Sequence, residues 1–578
     1  MKELKRLKRY LVRYKGRLLL GLSFVVLTNV FALMGPWVLK IAIDSLKQNI
    51  NSQSLLKYAL ILIAIALMGG FFRFLMRKTI IGVSRKIEYD LRNDFFAHLQ
   101  RMSLRFYNRY KTGDLMARAT NDLEAVRQVV GPAIMYSFNT VLSMNAFIIM
   151  MFINVKLTLF AMIPFPIMAL IVNRLSKRLH HGYQKVQAQY ASITSRVQEN
   201  LSGIRVVKAY VQEDHEIEAI KDLNREYVKK NLRVAKLRGI LVASMIVLIG
   251  LGALILLWVG GQLVIINKIT LGEFVAFFSY LAQLTWPMIA LGWVINIIQH
   301  GAAAMGRINK IFDEKPDIRD DNRTDPTVRH IYGEIEFCHV SFSYNGRPIL
   351  KNISLKIPQG MTVAIVGPTG CGKTTLINLI PRLIEPTEGT ILIDGKEIQR
   401  IPLHVLRSHI GYVPQDTFLF SDTIRENIAF GVNSPSMQEI EEAAVIAQIK
   451  KDVVNFPKGF ETMLGERGIN LSGGQKQRTA IARAVIRKPR ILILDDALSS
   501  VDTYTEEEIL KRLRAVMQER TSILVSHRIS TVKDADLIVV LQDGQIIEQG
   551  THEELVALDG LYAKLYRKQL LEQALEEL

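Results

Sequence analysis

Met361-Thr362-Val363-Ala364-Ile365-Val366 runs without a break into Gly367-Pro368-Thr369-Gly370-Cys371-Gly372-Lys373-Thr374, and a helical pattern follows from Thr375. An apolar strand, a glycine-rich turn and a helix form the context that a phosphate-binding loop requires. Gly367, Gly370 and Gly372, with Thr369 and Cys371 between them, let backbone N–H groups face phosphate oxygens at a helix start. Lys373 is expected to reach the β- and γ-phosphates and the Thr374 hydroxyl to ligate Mg²⁺. Cys371 is a candidate modifiable thiol, but a small filler is the simpler reading.

Two further stretches belong to the same chemistry. Ile491-Leu492-Ile493-Leu494 ends in Asp495, the position from which P-loop enzymes hold the Mg²⁺ shell. Asp496 follows, where ATP-hydrolysing machines usually carry glutamate. Leu471-Ser472-Gly473-Gly474-Gln475 precedes the helical pattern Lys476 to Ile486, which makes an anion site from a hydroxyl and N–H groups at a helix start.

Ahead of this α/β domain the chain changes character. Apolar runs near 18–43, 55–76, 129–153, 157–173, 240–266 and 274–298 are long enough for roughly 30 Å of hydrocarbon. Lys and Arg crowd the opening stretch and the connections 77–128 and 174–239, so both ends are expected in the cytoplasm, the first as an uncleaved terminus. Helical patterning carries the spans into those connections. With 49% hydrophobic residues in the 578, this arrangement excludes a soluble enzyme. The formal charge of +19 brackets apolar segments instead of forming a nucleic-acid face, so no nucleic acid is expected as partner. No Asp or Glu sits mid-span, Asp44 and Glu273 being at the outer ends, which disfavours a proton-coupled carrier. Asn29, Asn139, Ser143, Asn145 and Ser244 are candidate helix-to-helix glue, Met135, Met144, Met150 and Met151 an adaptable pocket or core filler, and Pro36, Pro164, Pro166 and Pro287 candidate hinges. His180-His181 has no companion ligands. Two cysteines, Cys338 and Cys371, imply no disulfide framework.

The expected architecture is a membrane α-helical domain of six spans with long cytoplasmic extensions at 1–310, and an acidic linker at 311–330. An α/β P-loop nucleotide-binding domain follows at 331–570, then a tail at 571–578. The stretch Gln569 to Leu578 shows no chemistry.

Six spans followed by a cassette with these motifs resemble the ATP-binding cassette exporter family over essentially the whole chain. The resemblance implies that Tyr344 stacks on adenine, that Gln415 in Val413-Pro414-Gln415 links Mg²⁺ to the membrane half, and that His527 in Val525-Ser526-His527 is the γ-phosphate switch. Thr374, Gln415 and Asp495 would then surround Mg²⁺. Gly465-Glu466-Arg467-Gly468 is similar to the segment that touches the cytoplasmic helices, and Ser499-Ser500-Val501-Asp502 to the loop that crosses a dimer interface. In that family two cassettes close head to tail, so Leu471 to Gln475 would hold a partner's ATP. Cytoplasmic contacts would lie near Asn108 to Leu115 and Ala209 to His215.

Against this background Asp496 is a general base too short by one methylene, about 1.5 Å, in a role that demands roughly 2.6 to 3.2 Å to a water. It predicts a slow site on this chain, and the resemblance to exporters with two unequal sites implies a partner chain with glutamate there and an altered signature, hence a heterodimer. The partner is a second half-transporter; the cargo is a hydrophobic small molecule, drug before lipid, with ATP and Mg²⁺ as cofactors and membrane lipid around the spans. A homodimeric lipid flippase and an ATP-gated channel are the alternatives, and the expected location is a bacterial inner membrane.

Overall fold

The computed structural model describes residues 2–46, 52–465, 468, 470–501 and 503–576. The chain divides into two compact units, Met1–His98 with Gly113–Glu314, and Leu99–Thr112 with Lys315–Leu578.

Among the described residues the first unit holds six long helices: α1 (Lys15–Leu46), α2 (Gln53–Leu99), α3 (Thr112–Ile153), α4 (Val155–Ser202), α5 (Glu213–Ile265) and α6 (Leu271–Asp313). All exceed the roughly 20 residues that a bilayer needs. Polarity marks where an apolar run stops, whereas a helix continues until something breaks it. No proline lies in 77–99 or 174–202, so α2 and α4 run on as one piece. Within the most apolar window of each helix only 11–40% of residues are buried. Phe152, Leu170 and Trp258 are among the side chains left facing outward. That much open apolar surface suits lipid and is incompatible with water.

Pro36 lies inside α1 without ending it. Proline has no N–H, so the carbonyl four residues earlier, Ala32 O, loses its intrahelical donor. Gln283 of α6 supplies one, its Nε2 donating to Ala32 O at 3.1 Å, while Tyr280 Oη donates to Leu33 O at 2.8 Å. Pro36 therefore serves as an α1–α6 fastening point.

Among the polar candidates, Asn29 Nδ2 donates to Asn139 Oδ1 and Ser143 Oγ to Asn29 Oδ1, both at 3.0 Å, joining α1 to α3. Asn145 and Ser244 bond within their own helices. Met135 and Met150 are core residues, and His180 and His181 each bond Gln184. The two outer carboxylates are paired. Asp44 accepts from Thr270 Oγ1 and Gly272 N at the start of α6, and Glu273 bonds Lys40 at 2.9 Å.

The second unit is built on two sheets. β1 (Ile335–Tyr344), β2 (Arg347–Ile357), β4 (Glu388–Ile393) and β5 (Lys396–Glu397) form an antiparallel sheet in the order β2-β1-β4-β5. The larger sheet has the order β10-β9-β3-β8-β7-β6, from β3 (Thr362–Val366), β6 (Ile410–Val413), β7 (Ile491–Asp495), β8 (Thr521–Val525), β9 (Leu537–Gln542) and β10 (Gln545–Gly550). Only β9–β10 pairs antiparallel in it. β7 and β8 are buried along their whole length, covered on both faces. Register brings Ile365 and Asp495 each opposite Val525, and Leu494 opposite Val413. The carboxyl ends of β3, β6, β7 and β8 thus finish side by side, where ligands bind in open α/β sheets.

Candidate functional site

The loop after β3 owes its shape to glycine. Gly367, Gly370 and Gly372 have φ of 151°, 84° and 105°, angles that side-chain-bearing residues avoid. A Cβ on Gly367 would lie 2.1 Å from Leu541 O. The turn delivers α7 (Lys373–Leu379) with its first N–H groups toward the loop. Lys373 is buried, and its Nζ donates to Gly367 O at 2.8 Å and Pro368 O at 3.0 Å, so the loop's own carbonyls aim the ammonium. Cys371 is buried beneath, 3.9 Å from that nitrogen, and burial pushes its thiol up, which suits a filler.

Around the loop, one cleft gathers Thr369, Gly370, Gly372, Lys373, Thr374 and Thr375 with Tyr344, Gln415, Asp495, Asp496 and His527. Tyr344 is 41% exposed, its ring 4.7 Å from that of Phe342 and edge-on to it, which leaves a face open to a planar ligand.

Asp495 ends β7 almost wholly buried, and its Oδ2 has no hydrogen-bond partner among the described residues. Burial raises its pKa, the Thr374 hydroxyl opposes the rise, Asp496 adds to it and Lys373 offsets it. A buried carboxylate oxygen left open beside a threonine hydroxyl is a fit for Mg²⁺ or a water bound to it. The ion would neutralise phosphate charge there.

Asp496 adopts a left-handed φ of 49°, its N–H donating to Val525 O at 2.8 Å, so the backbone rather than packing turns its side chain into the cleft. Its Oδ2 faces Gln415 Nε2 at 3.4 Å.

Leu471 to Gln475 do not line this cleft. Ser472 caps α8 (Gly473–Val485) in a reciprocal capping box with Gln475, whose Nε2 also donates to Asp452 Oδ1 at 2.9 Å. Gly473 and Gly474 pack against Ser500, where a Cβ on Gly474 would stand 2.9 Å from Ser500 O. Glu466, Arg467 and Asp502, named in the sequence reading, lie outside the described residues.

Three contributors escaped the sequence reading. Gln477 of α8 is buried; its amide donates to Ser499 Oγ at 2.9 Å and accepts from Ser500 N at 2.9 Å, tying the loop after Asp496 to the helix. A signal existed, since Gln477 shares the buried face of α8 with Ala480, Ile481 and Ala484. Arg528 bonds the buried Glu506 and the carbonyls of Val501 and Ser499. Gln569, placed in a stretch expected to carry no chemistry, bonds the backbone on both sides of Arg528. α10 (Leu561–Glu576) spans most of that stretch, and α9 (Ile529–Val532) packs beside it.

Comparison with known proteins agrees over the full length. The family described as "ABC transporter transmembrane region" matches residues 18–288, and that described as "ABC transporter" matches residues 350–499. The chain is 39% identical over 573 residues to the probable multidrug resistance ABC transporter ATP-binding/permease protein YheI of Bacillus subtilis (strain 168), covering 98% of each. It is 37% identical over 542 residues to the ATP-dependent lipid A-core flippase of Syntrophus aciditrophicus (strain SB), covering 94% of this chain and 90% of that one. Among solved structures, a bacterial Atm1-family ABC exporter with ATP bound is similar at a TM-score of 0.78 and 31% identity, with 96% and 98% of the chains covered.

Proposed function

The chain belongs to the ATP-binding cassette exporters, multi-pass membrane proteins that bind ATP with Mg²⁺ and couple its hydrolysis to transport, and from that membership we propose that it is the slow-site half of a two-chain drug exporter. Lys373, Thr374 and Asp495 hold the triphosphate and its Mg²⁺, Tyr344 takes the adenine, Gln415 senses the metal, His527 meets the γ-phosphate, and Asp496 is a weakened base. Leu471 to Gln475 serve the ATP of the partner cassette. The observation that carries this reading is the pairing of a complete phosphate cleft with Asp496 at the water-activating position, while the intact Ser472 to Gln475 cap stands outside that cleft.

Hydrophobic or amphipathic compounds are the proposed cargo, because the YheI relative is described as a multidrug protein. A homodimeric lipid flippase is the second reading, favoured by the similarity to the lipid A-core flippase. The proposed setting is a bacterial inner membrane with both termini in the cytoplasm, from the Lys and Arg distribution.

The decisive experiment measures ATP hydrolysis by the chain purified alone and co-purified with its genomic neighbour, each with and without Asp496→Glu. The expected result is slow turnover alone and brisk turnover in the pair. Brisk turnover by the unmutated chain alone overturns the slow site, and a gain from Asp496→Glu confined to the lone chain favours the homodimer.

A further inference from the structure

Gln569 grips the backbone of the loop that carries His527. Its carboxamide Oε1 accepts from Ile529 N at 2.7 Å and its Nε2 donates to His527 O. A donor and an acceptor on one planar amide, meeting the C=O of one residue and the N–H two residues on, reproduce the pairing that a parallel strand would offer. His527 lies just past the end of β8, where the ladder has stopped, so Gln569 continues the restraint that the sheet no longer supplies.

The amide does not arrive there by chance of a mobile tail. The start of α10 is fixed by Glu548, whose carboxylate accepts from Leu561 N at 2.6 Å and Tyr562 N at 3.1 Å, meeting N–H groups that a helix start leaves open. A Cβ on Gly560 would stand 2.2 Å from Glu548 Oε1, so the approach is close. Tyr562 is fully buried and its hydroxyl bonds His552 Nδ1 at 2.7 Å. Gln569 follows Tyr562 by seven residues, two helical turns, and so shares its inward face. On the other side, the Arg528 side chain is held by Glu506 and by carbonyls of the loop after Asp496. His527 itself is exposed in the cleft.

We propose that Gln569 is a positioning residue for ATP hydrolysis, holding the His527 loop so that the imidazole stands ready at the γ-phosphate, and that α10 is therefore part of the catalytic support. This rests on the reading of His527 given above.

The test uses the full-length chain in lipid nanodiscs and follows single-turnover conversion of bound [α-³²P]ATP to ADP with Mg²⁺, which reads a slow site as well as a fast one. ATP affinity and thermal midpoint are measured alongside. Displacing a reacting group by a fraction of an ångström is expected to slow conversion about five- to twentyfold in Gln569→Ala, with ATP affinity within about twofold of the unmodified chain. Gln569→Glu keeps the acceptor for Ile529 N–H but sets an anion against the His527 carbonyl, and is expected to be at least as slow. It is near-isosteric and carries the test if the alanine variant does not fold. Lys564→Ala, on the exposed side of α10, is expected to leave the rate unchanged. A residue that acts only through His527 adds nothing once the imidazole is gone, so His527→Ala with Gln569→Ala should be no slower than His527→Ala alone. Additive losses, or an unmodified rate in both Gln569 variants while His527→Ala is slow, overturn the inference and leave the site reading standing. An unmodified rate in His527→Ala overturns the site reading itself.

Discussion

Gln415 Nε2 and Asp496 Oδ2 face each other across the mouth of the cleft at 3.4 Å, longer than a well-formed N–H···O bond. Asp496→Glu extends the carboxylate by about 1.5 Å, giving it further reach into the cleft. Conversion of bound ATP at this site is expected to rise by about 10- to 100-fold, read as single-turnover formation of ADP. Asp and Asn tolerate a left-handed backbone better than Glu does. The same substitution should therefore lower the thermal midpoint, whereas Asp496→Asn keeps the midpoint and slows the chemistry further.

Asp495 links metal binding to pH. Burial raises its pKa above the ordinary carboxylate value, so the folded state takes up a proton more readily than the unfolded one. In the absence of metal, the ionised carboxylate costs stability at neutral pH, and this cost is relieved as the pH falls through the raised pKa. Mg²⁺ requires the ionised form, so protonation competes with it as the pH falls. Asp495→Asn should raise the melting midpoint in EDTA at neutral pH and abolish the further rise that Mg²⁺ and ATP give the unmodified chain. A midpoint that falls in EDTA would contradict the burial argument.

The cleft after β3 was legible as a grouping because its parts are dictated locally: a strand end, glycines at positive φ and a lysine at the helix start all lie within 361–375. Even Asp495 and His527 are found at strand ends, which apolar runs announce. What the pattern could not supply was the tertiary partner of a polar side chain. Gln477 and Gln569 look like surface residues until α8 and α10 are packed, and only then do their amides meet loop backbones. The apolar runs 55–76 and 157–173 mark only the lipid-facing part of α2 and α4, and it is the helical patterning of the connections, not hydropathy, that announces their continuation to Leu99 and Ser202.

Gln477 is buried with both ends of its amide used, so it should tolerate change poorly. Gln477→Leu fills the same volume but strands Ser500 N–H and the Ser499 hydroxyl, at a cost of about 1–3 kcal/mol. Gln477→Glu removes the donor and sets a carboxylate against Asp496 O, 3.4 Å away, and should cost more. Thermal unfolding of the purified full-length chain orders the two. Equal midpoints for Leu and Gln would mean that the loop after Asp496 is held by other contacts.

Pro36 and Gln283 make a reciprocal prediction within the membrane unit. Gln283→Leu leaves Ala32 O without a donor in a setting where water cannot replace it, a loss of about 1–3 kcal/mol. Pro36→Ala alone restores the N–H that Ala32 O lacks and makes Gln283 redundant there. The double variant Pro36→Ala with Gln283→Leu should therefore recover most of the stability that Gln283→Leu loses, measured as the thermal midpoint in nanodiscs. Simple addition of the two single effects would show that Gln283 acts through some contact other than the freed carbonyl. If the recovery is seen and transport is still slow, the rigid α1–α6 fastening is needed for movement as well as for stability.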